Sequence, residues 1–255
     1  MDQLTPYFVE KPWGGDFIAS QFHLPHRSYG EAWLLSTLPG AESRSGARPL
    51  SEALGKELSF IVKIIDARSP LSVQVHPDDH WARALENSRG KTECWLILKA
   101  QKDSGVYLGL KDGVGEEELR RALEKNQNVQ ELLIFHPVKP GDFISVPAGT
   151  IHAIGAGITL LEVQQASGIT YRIWDWGETG RQLHVEKGLQ VSHFAARPGV
   201  LFNVFENNSP RLLIKEKDFQ VELNKSSGEG WFIGLEDLSV SFGNSSPAAA
   251  FVFVK

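Results

Sequence analysis

The sequence predicts a mostly β protein, a jelly-roll-like β-barrel with one helical insertion and a reduced β-module towards the C-terminus. Short runs rich in valine, isoleucine, leucine and aromatic residues follow one another between turns that contain glycine, proline or aspartate. Such runs are typical of short strands. Only two stretches have a helical pattern, whereas a parallel βαβ fold would alternate strands with helices throughout. A barrel or sandwich of short strands therefore fits the whole pattern best.

The strands of the predicted barrel are short segments in which apolar residues cluster or alternate. Six are predicted, namely Ser59–Ile65, Leu71–Val75, Glu93–Leu98, Phe143–Val146, Thr159–Gln164 and Tyr171–Trp174.

Two segments have the pattern of a helix. Asp78–Glu86 begins with two aspartates, which stabilise the first turn of a helix. Gly115–Phe135 begins with acidic residues and then places leucine and valine at roughly helical intervals. This segment is either one helix or two short helices separated near Asn126–Asn128.

The character of the chain changes after Phe194. Residues 1–196 are predicted to form the catalytic barrel, with the helical insertion at about 111–135, and residues 197–255 a reduced C-terminal β-module. Breaks at residues 197–199 and 207–210 separate the two. The strand-like segments that follow are Leu212–Leu223, Trp231–Leu235, Leu238–Phe242 and Ala249–Val254. They are too few for a second complete barrel, which needs about eight strands of ~5–6 residues each.

Composition and charge limit the binding partners and the cellular location that the sequence predicts. A net charge of −5 favours neither nucleic acid nor an anionic membrane as a partner. No apolar run has the length of a transmembrane helix, and the first residues lack the pattern of a signal peptide. The single cysteine, Cys94, has no partner for an internal disulfide, so a cytoplasmic location is expected. Nothing in the sequence indicates the oligomeric state.

The segment Gly141–His152, GDFISVPAGTIH, carries the most specific signal. Proline restricts φ before a turn, and glycine adopts backbone conformations that other residues resist. The strand and turn would therefore direct His152 into a pocket, where a neutral imidazole is a good metal ligand. This spacing resembles the second sequence motif of the cupin barrel.

Two further pairs supply the remaining metal-binding groups. Gln74 and His76 lie on one face if their segment is a strand, and Lys91 and Glu93 alternate in the same way. Together with His152 they offer two nitrogen and two oxygen ligands. Such a set suits Zn²⁺ at one site per chain, while Fe²⁺, Mn²⁺ and Co²⁺ remain alternatives.

Six segments then appear in an order that resembles a known family, the short bacterial form of type I mannose-6-phosphate isomerase. They cover most of residues 6–195. The matching segments are EKPWGG (10–15), GEAWLLS (30–36), SVQVHPDD (72–79), GKTECW (90–95), PGDFISVPAGTIHAI (140–154) and EVQQASGITYRIWDWG (162–177).

The resemblance implies a cupin fold, a sugar-phosphate substrate and the interconversion of mannose 6-phosphate and fructose 6-phosphate. It implies that zinc is bound at the matching positions, Gln74, His76, Glu93 and His152. It also implies active-site roles for Lys91, Glu162 and Arg172.

Chemistry supports such an assignment, because a proton must move between C1 and C2 through an enediol-like intermediate. A divalent metal polarises the sugar oxygens, and a base of moderate pKa carries the proton. Lys91 or Arg172 stabilises the negative oxygen or holds the phosphate, for which arginine has the better geometry. The base is either Glu162 or a solvent molecule at the metal.

Two departures from the family pattern keep other functions open. Gly168 stands where many members have aspartate before the YR motif, and the C-terminal part is short. The chain is therefore alternatively an isomerase of a different sugar phosphate, or a cupin that binds a sugar or sugar phosphate without turnover. A metal-dependent dioxygenase would share the barrel, but Gln74 and Lys91 argue against its usual facial triad.

Overall fold

The computed structural model describes residues 4–127, 129–195, 198–206, 210–224, 228–243 and 251–255. In chain order the strands are β1 (Leu4–Thr5), β2 (Tyr7–Gly15), β3 (Tyr29–Leu35), β4 (Arg44–Ser45), β5 (Arg48–Pro49), β6 (Phe60–Ala67), β7 (Val73–Val75), β8 (Glu93–Ala100), β9 (Gly105–Leu110), β10 (Leu133–Pro137), β11 (Phe143–Val146), β12 (His152–Ile154), β13 (Ile158–Gln165), β14 (Tyr171–Trp174), β15 (Val200–Leu201), β16 (Arg211–Lys215), β17 (Gln220–Leu223), β18 (Gly230–Gly234), β19 (Val240–Gly243) and β20 (Phe251–Val254). The helices are α1 (Phe17–Gln21), α2 (Leu50–Leu54), α3 (Asp79–Glu86), α4 (Glu116–Lys125), α5 (Val129–Leu132) and α6 (Val185–Val191).

Two antiparallel sheets face each other and form a cupin barrel, as the sequence predicts. One has the strand order β15-β11-β8-β13-β6-β2-β3, and the other has the order β10-β9-β12-β7-β14. A small sheet of β1, β4 and β5 lies apart from them. One apolar cluster joins the two barrel sheets, since it contains Ile97 and Leu160 of the first sheet and Val106 and Leu108 of the second. Burial of this cluster holds the barrel closed.

The C-terminal β-module is a five-stranded sheet in the order β16-β17-β20-β18-β19. It packs on the outer face of the larger barrel sheet, where Val62 and Leu96 share a buried cluster with Trp231 and Ile233 of the module. The large barrel sheet is thus covered on both faces, and every residue of β6 and β13 is buried. The reduced module is a cover for the barrel.

The domain boundary after residue 196 stays a prediction, because residues 196–197 lie outside the described part of the chain. Of the predicted break at residues 207–210, residues 207–209 also lie outside it. β15 follows the boundary in sequence but pairs with β11, so residues 200–201 extend the barrel sheet. The sheet made by residues 211–254 is separate from the barrel sheets.

Most predicted elements are present with shifted ends. β11 and β14 have the predicted bounds, and Asp78 caps α3 through a 2.9 Å hydrogen bond from the Trp81 amide. The predicted helical insertion is two helices, with Asn126 in the left-handed region at φ 49°; Asn128 lies outside the described residues. The helix prediction is wrong for residues 133–135, because they pair with β9 as part of β10.

The N-terminal strands β2 and β3 and the strand β9 are absent from the sequence prediction. β2 contains Pro12 and two glycines, and its pairing with β3 is interrupted by irregularities in register. Such features conceal the two-residue period of a strand. Among the described residues, no helix has the length and apolar character needed to span a membrane.

The cover formed by the C-terminal sheet generates a stability prediction. Ile233 is fully buried at its interface with the barrel, whereas Leu212 of the same sheet is 52% exposed. Ile233→Ala is expected to lower the free energy of unfolding by about 2–5 kcal/mol, because it leaves a cavity in the shared core. Leu212→Ala, the matched control, is expected to change it by less than about 0.5 kcal/mol. Urea denaturation measures both, and equal effects would contradict the covering role.

Candidate metal centre and active site

A cavity of about 260 Å³ opens between the two barrel sheets. It is much larger than the ~10–15 Å³ of accessible volume that one water requires, so it has room for a small molecule. Its walls are mostly polar and charged. The lining residues that matter below are Lys11, Glu31, Lys63, Gln74, Lys91, Glu93, Glu162, Gly168, Arg172 and Arg181.

Strand register brings the predicted residues of the smaller sheet together. Gln74 on β7 is the cross-strand neighbour of His152 on β12 and, on its other side, of Arg172 on β14. Paired residues lie on the same face of a sheet. Gln74 is half-buried and lines the cavity. The predicted oxygen ligand and the predicted arginine therefore flank one another.

The turn before His152 explains the motif that contains it. Gly149 has φ +83°, a conformation that favours glycine, and a Cβ there would lie 2.6 Å from the His193 ring. Its amide donates a 2.8 Å hydrogen bond to the carbonyl of His76. The glycine turn therefore connects the segments that carry the two predicted histidine ligands.

His76, Glu93 and His152 form a buried cluster with the chemistry of a metal centre. The Nε2 atoms of the two histidines each lie 3.3 Å from an oxygen of Glu93, His76 from Oε2 and His152 from Oε1. Ligand atoms at ~2.0–2.1 Å from a tetrahedral zinc ion are separated by about 3.4 Å. The spacing of the three side chains therefore fits a divalent metal.

Hydrogen bonds on the far side of each ring set the direction of the lone pairs. Nδ1 of His76 lies 3.0 Å from the carbonyl oxygen of Ile169, and Nδ1 of His152 lies 2.9 Å from that of Thr150. A carbonyl only accepts, so each Nδ1 carries the proton and each Nε2 has a free lone pair on the side where Glu93 lies. His152 Nε2 has no hydrogen-bond partner among the described residues. A buried nitrogen left in this way is explained by a metal ligand role.

Burial keeps both imidazoles neutral. It lowers the pKa of His76 to about 3, with the ammonium of Lys91 acting in the same direction. Burial also lowers the pKa of His152, in this case against the raising effect of Glu93. Neutral imidazole is the form that binds metals.

Lys91 balances the charge of Glu93 in the interior. Its Nζ lies 2.6 Å from Glu93 Oε2 and 3.0 Å from His76 Nε2. Burial would raise the pKa of Glu93, but the ammonium of Lys91 counteracts that effect, and the pKa lies well below its ordinary value. Glu93 is therefore an anion that attracts the lysine and a divalent cation alike. A buried salt bridge alone would account for these two residues, but it leaves His152 Nε2 without a partner.

Glu162 faces the same cavity from β13. Its Oε1 accepts a 3.2 Å hydrogen bond from the indole of Trp95, and its Oε2 lies 3.6 Å from Lys63 Nζ. Burial and the nearby negative charge of Glu93 raise its pKa to about 6, although Lys91 and Lys63 act in the opposite direction. A carboxyl group with this pKa can both accept and release a proton near neutral pH.

Two arginines lie at the cavity wall near its opening. Arg172 is held by hydrogen bonds from Nε to Ser72 Oγ at 3.2 Å and from Nη1 to the Gln182 carbonyl at 2.9 Å. Arg181 is held by the buried carboxylate of Asp175, with a 2.6 Å bond from its Nε. Burial and the neighbouring Arg181 lower the pKa of Arg172, as expected where two cations are held close together.

Sequence reasoning missed three cations of this cavity, Lys11, Lys63 and Arg181. Lys63 had a detectable signal, since it is the one lysine in an otherwise apolar run and its strand is wholly buried. Lys11 belongs to the EKPWGG segment, whose resemblance to the family indicates no role for the lysine. Arg181 follows a glycine-containing turn after β14 and has no comparable local signal.

Gly168 lies at the wall of the cavity, where the departure from the family pattern was noted. A Cβ at this position would contact only Leu38 Cδ2, at an ordinary 3.6 Å. Glycine is therefore not required by the backbone or by crowding. Because Gly168 has no side chain, space remains beside Thr170 and Arg172.

The fold and the cluster define a cupin with a candidate metal centre. A family model described as phosphomannose isomerase type I, catalytic domain, matches residues 41–94. Mannose-6-phosphate isomerase ManA of Bacillus subtilis is 38% identical over 216 residues, which cover 76% of this chain and 68% of that protein. The chain therefore belongs to the type I mannose-6-phosphate isomerase family. The family and the enzyme class predicted from the sequence are confirmed.

Solved structures agree on the fold. The crystal structure of the mannose 6-phosphate isomerase from Bacillus subtilis superposes with a TM-score of 0.77 at 24% identity, covering 99% of this chain and 98% of that one. A mannose 6-phosphate isomerase bound with zinc and yttrium superposes with a TM-score of 0.64 at 17% identity, covering 100% and 98%.

The geometry of the cluster predicts the effect of removing one ligand. His152→Ala is expected to weaken zinc binding by about 100-fold or more, because a deleted ligand costs at least as much as the loss of its supporting hydrogen bond. Zinc content after dialysis against a weak chelator measures the effect. His26→Ala is the control, since that side chain is 85% exposed. Full zinc retention by the His152 variant would remove it from the metal centre.

Proposed function

We propose that the chain interconverts mannose 6-phosphate and fructose 6-phosphate with Zn²⁺ bound by Gln74, His76, Glu93 and His152. The observation that carries the proposal is that Glu93 of the buried His/Glu/His cluster lines the same cavity as Lys91, Glu162 and Arg172. The family's name describes the reaction, and the cavity offers each group that the reaction requires. When bound, the metal supplies Lewis acidity towards the sugar oxygens.

The charges of the cavity favour an anionic substrate. Five cationic side chains line it, against three carboxylates, Glu31, Glu93 and Glu162. Arg172 and Arg181 are neighbours on the cavity wall, and neither is fully buried. Planar guanidinium groups suit a phosphate, because they donate two parallel hydrogen bonds. The phosphate would lie against these arginines, with C1 and C2 directed towards the metal cluster.

Glu162 is the best placed group to move the proton. Isomerisation requires a base that takes a proton from one carbon and returns it to the next on the same face of the substrate. Glu162 is buried at the cavity wall and its pKa is raised to about 6. Its carboxylate is therefore mostly ionised at neutral pH and still basic enough to hold the proton for its return.

Lys91 is suited to stabilise the negative charge that develops on the substrate oxygen. Burial lowers its pKa, but the carboxylates of Glu93 and Glu162 more than offset this effect, so the pKa is raised and the ammonium stays charged. A fixed positive group in a largely water-excluded site stabilises an oxyanion far more than it would in water. The enediolate oxygen would lie near Lys91 and the metal cluster.

A second candidate function is binding of a sugar phosphate without turnover, or isomerisation of a different sugar phosphate. Gly168 favours this alternative, because the cavity wall lacks a carboxylate that many family members carry there. The space left beside Thr170 and Arg172 would also accept a differently shaped sugar. The intact metal cluster and Glu162 favour the isomerase.

Proton exchange separates the candidates. The zinc-loaded protein is expected to convert mannose 6-phosphate to fructose 6-phosphate and, in deuterium oxide, to introduce deuterium at C1 of fructose 6-phosphate. Nuclear magnetic resonance detects both. If the zinc-loaded protein binds the sugar phosphate but shows neither conversion nor exchange, the isomerase proposal is wrong. Conversion of another hexose phosphate alone would correct the substrate.

Replacement of Arg172 tests the phosphate assignment. Arg172→Lys is expected to lower kcat/KM by about 10- to 100-fold, because a point charge replaces a fork that makes charged hydrogen bonds. Zinc content should be unchanged. Arg120→Lys is the matched control, since Arg120 forms salt bridges with Glu116 and Glu186 on the surface. Normal kinetics in the Arg172 variant would remove this residue from the substrate site.

A further inference from the structure

Four side chains form a continuous cross-strand row over neighbouring strands of the large barrel sheet. Trp33 on β3 pairs with Lys63 on β6, Lys63 pairs with Glu162 on β13, and Glu162 pairs with Trp95 on β8. Side chains paired in this way project from the same face. The lysine and the glutamate both line the cavity, so the row lies on its wall.

Lys63 is the charged centre of this row. Only 6% of its surface is exposed, and its Nζ lies 3.6 Å from Glu162 Oε2 and 3.7 Å from Glu31 Oε2. The same atom lies 4.0 Å from the centroid of the Trp33 ring. Among the described residues, no other lysine or arginine lies within 4.0 Å of Glu162. The ammonium is thus confined between two buried carboxylates and an aromatic face.

The two oxygens of Glu162 are held by different partners. Oε1 accepts the 3.2 Å bond from Trp95, and Oε2 faces Lys63. These two contacts define the plane of the carboxylate. If the ammonium were removed, the Trp95 bond would remain as the partner of Oε1 while Oε2 lost its cation. Two carboxylates would then remain in the same buried wall without their shared cation.

Glu31 in turn holds the lysine from the other side. Its Oε2 accepts a 2.7 Å hydrogen bond from Trp33, and its Oε1 lies 3.2 Å from Lys11. The glutamate is therefore fixed by its own neighbours and does not need Lys63 for its orientation. It keeps the ammonium from moving fully onto Glu162, which would neutralise a base.

We propose that Lys63 is a positioning residue of the isomerase, which orients the Glu162 carboxylate for proton transfer and shares its charge with Glu31. The proposal rests on the proposed function, since it assigns Glu162 as the base. It requires no contact between Lys63 and the substrate, so substrate affinity should be nearly independent of it. A proton-transfer group displaced by about 1 Å loses on the order of 10²-fold in rate.

The test measures kcat and KM for mannose 6-phosphate with zinc-loaded enzyme. Lys63→Met is expected to lower kcat by about 10²-fold and to leave KM within about three-fold. Zinc content should match the unsubstituted enzyme. In a Glu162→Gln background, Lys63→Met should produce no further loss, because the group that it orients is gone. Lys63→Arg should have a kcat between those of Lys63→Met and the unsubstituted enzyme, because it keeps a positive charge at this position.

Lys99→Met is the control, because Lys99 also lies over an aromatic ring, at 4.1 Å from the Phe17 centroid, but does not line the cavity. It is expected to leave kcat unchanged. If Lys63→Met does not fold, the Lys63→Arg variant is compared with the enzyme that keeps Lys63, once with Glu162 present and once in the Glu162→Gln background. A difference in kcat that appears only when Glu162 is present supports the proposal.

Several outcomes would overturn it. A zinc-loaded Lys63→Met enzyme with normal kcat would do so, as would an equal loss with and without the Glu162 carboxylate, which indicates a structural role. An inactive unsubstituted enzyme would overturn the proposed function and this inference together. An active unsubstituted enzyme with an indifferent Lys63 would overturn the inference alone.

Discussion

Glu93 is a carboxylate with 1% of its surface exposed, and the organisation of the cavity depends on the compensation of its charge. Desolvation makes a buried anion costly unless positive or hydrogen-bonding groups surround it. Lys91 supplies a full positive charge at 2.6 Å and compensates the anion. The two histidine nitrogens that lie 3.3 Å away are the other donors of the metal centre. The surrounding residues therefore do two things at once: they make the anion tolerable, and they arrange the donors of a metal centre.

The same principle extends across the cavity wall. Glu31 and Glu162 share the ammonium of Lys63, and Lys11 pairs with Glu31 towards the solvent side. Charges of opposite sign alternate from the rim to the interior. Because every buried charge has a defined neighbour, the carboxylates take up fixed orientations. Fixed orientation is what proton transfer requires of a base.

A charged interior of this kind needs stability from elsewhere. The large barrel sheet directs Lys63, Glu93 and Glu162 towards the cavity. Its outer face carries apolar residues, among them Val62 and Ile64, which join the cluster that includes Trp231 and Ile233. The C-terminal sheet covers this apolar face. Burial of apolar area is the main favourable term in folding, and here much of it lies outside the barrel. The reduced module is thus part of what allows a polar cavity between the barrel sheets.

The sequence by itself determined the fold class, the family and the predicted ligands, because these depend on local spacing. A two-residue alternation places Lys91 and Glu93 on one face, and the turn at Gly149 requires a glycine. The extent of the helical insertion was overestimated, since pairing with β9 decided the strand at residues 133–135. Only the tertiary structure decided which charges meet. Lys63 contacts Glu31 and Glu162 through strand order and register. Pairing between strands distant in sequence leaves no local pattern, so neither contact could be predicted from the spacing of residues along the chain.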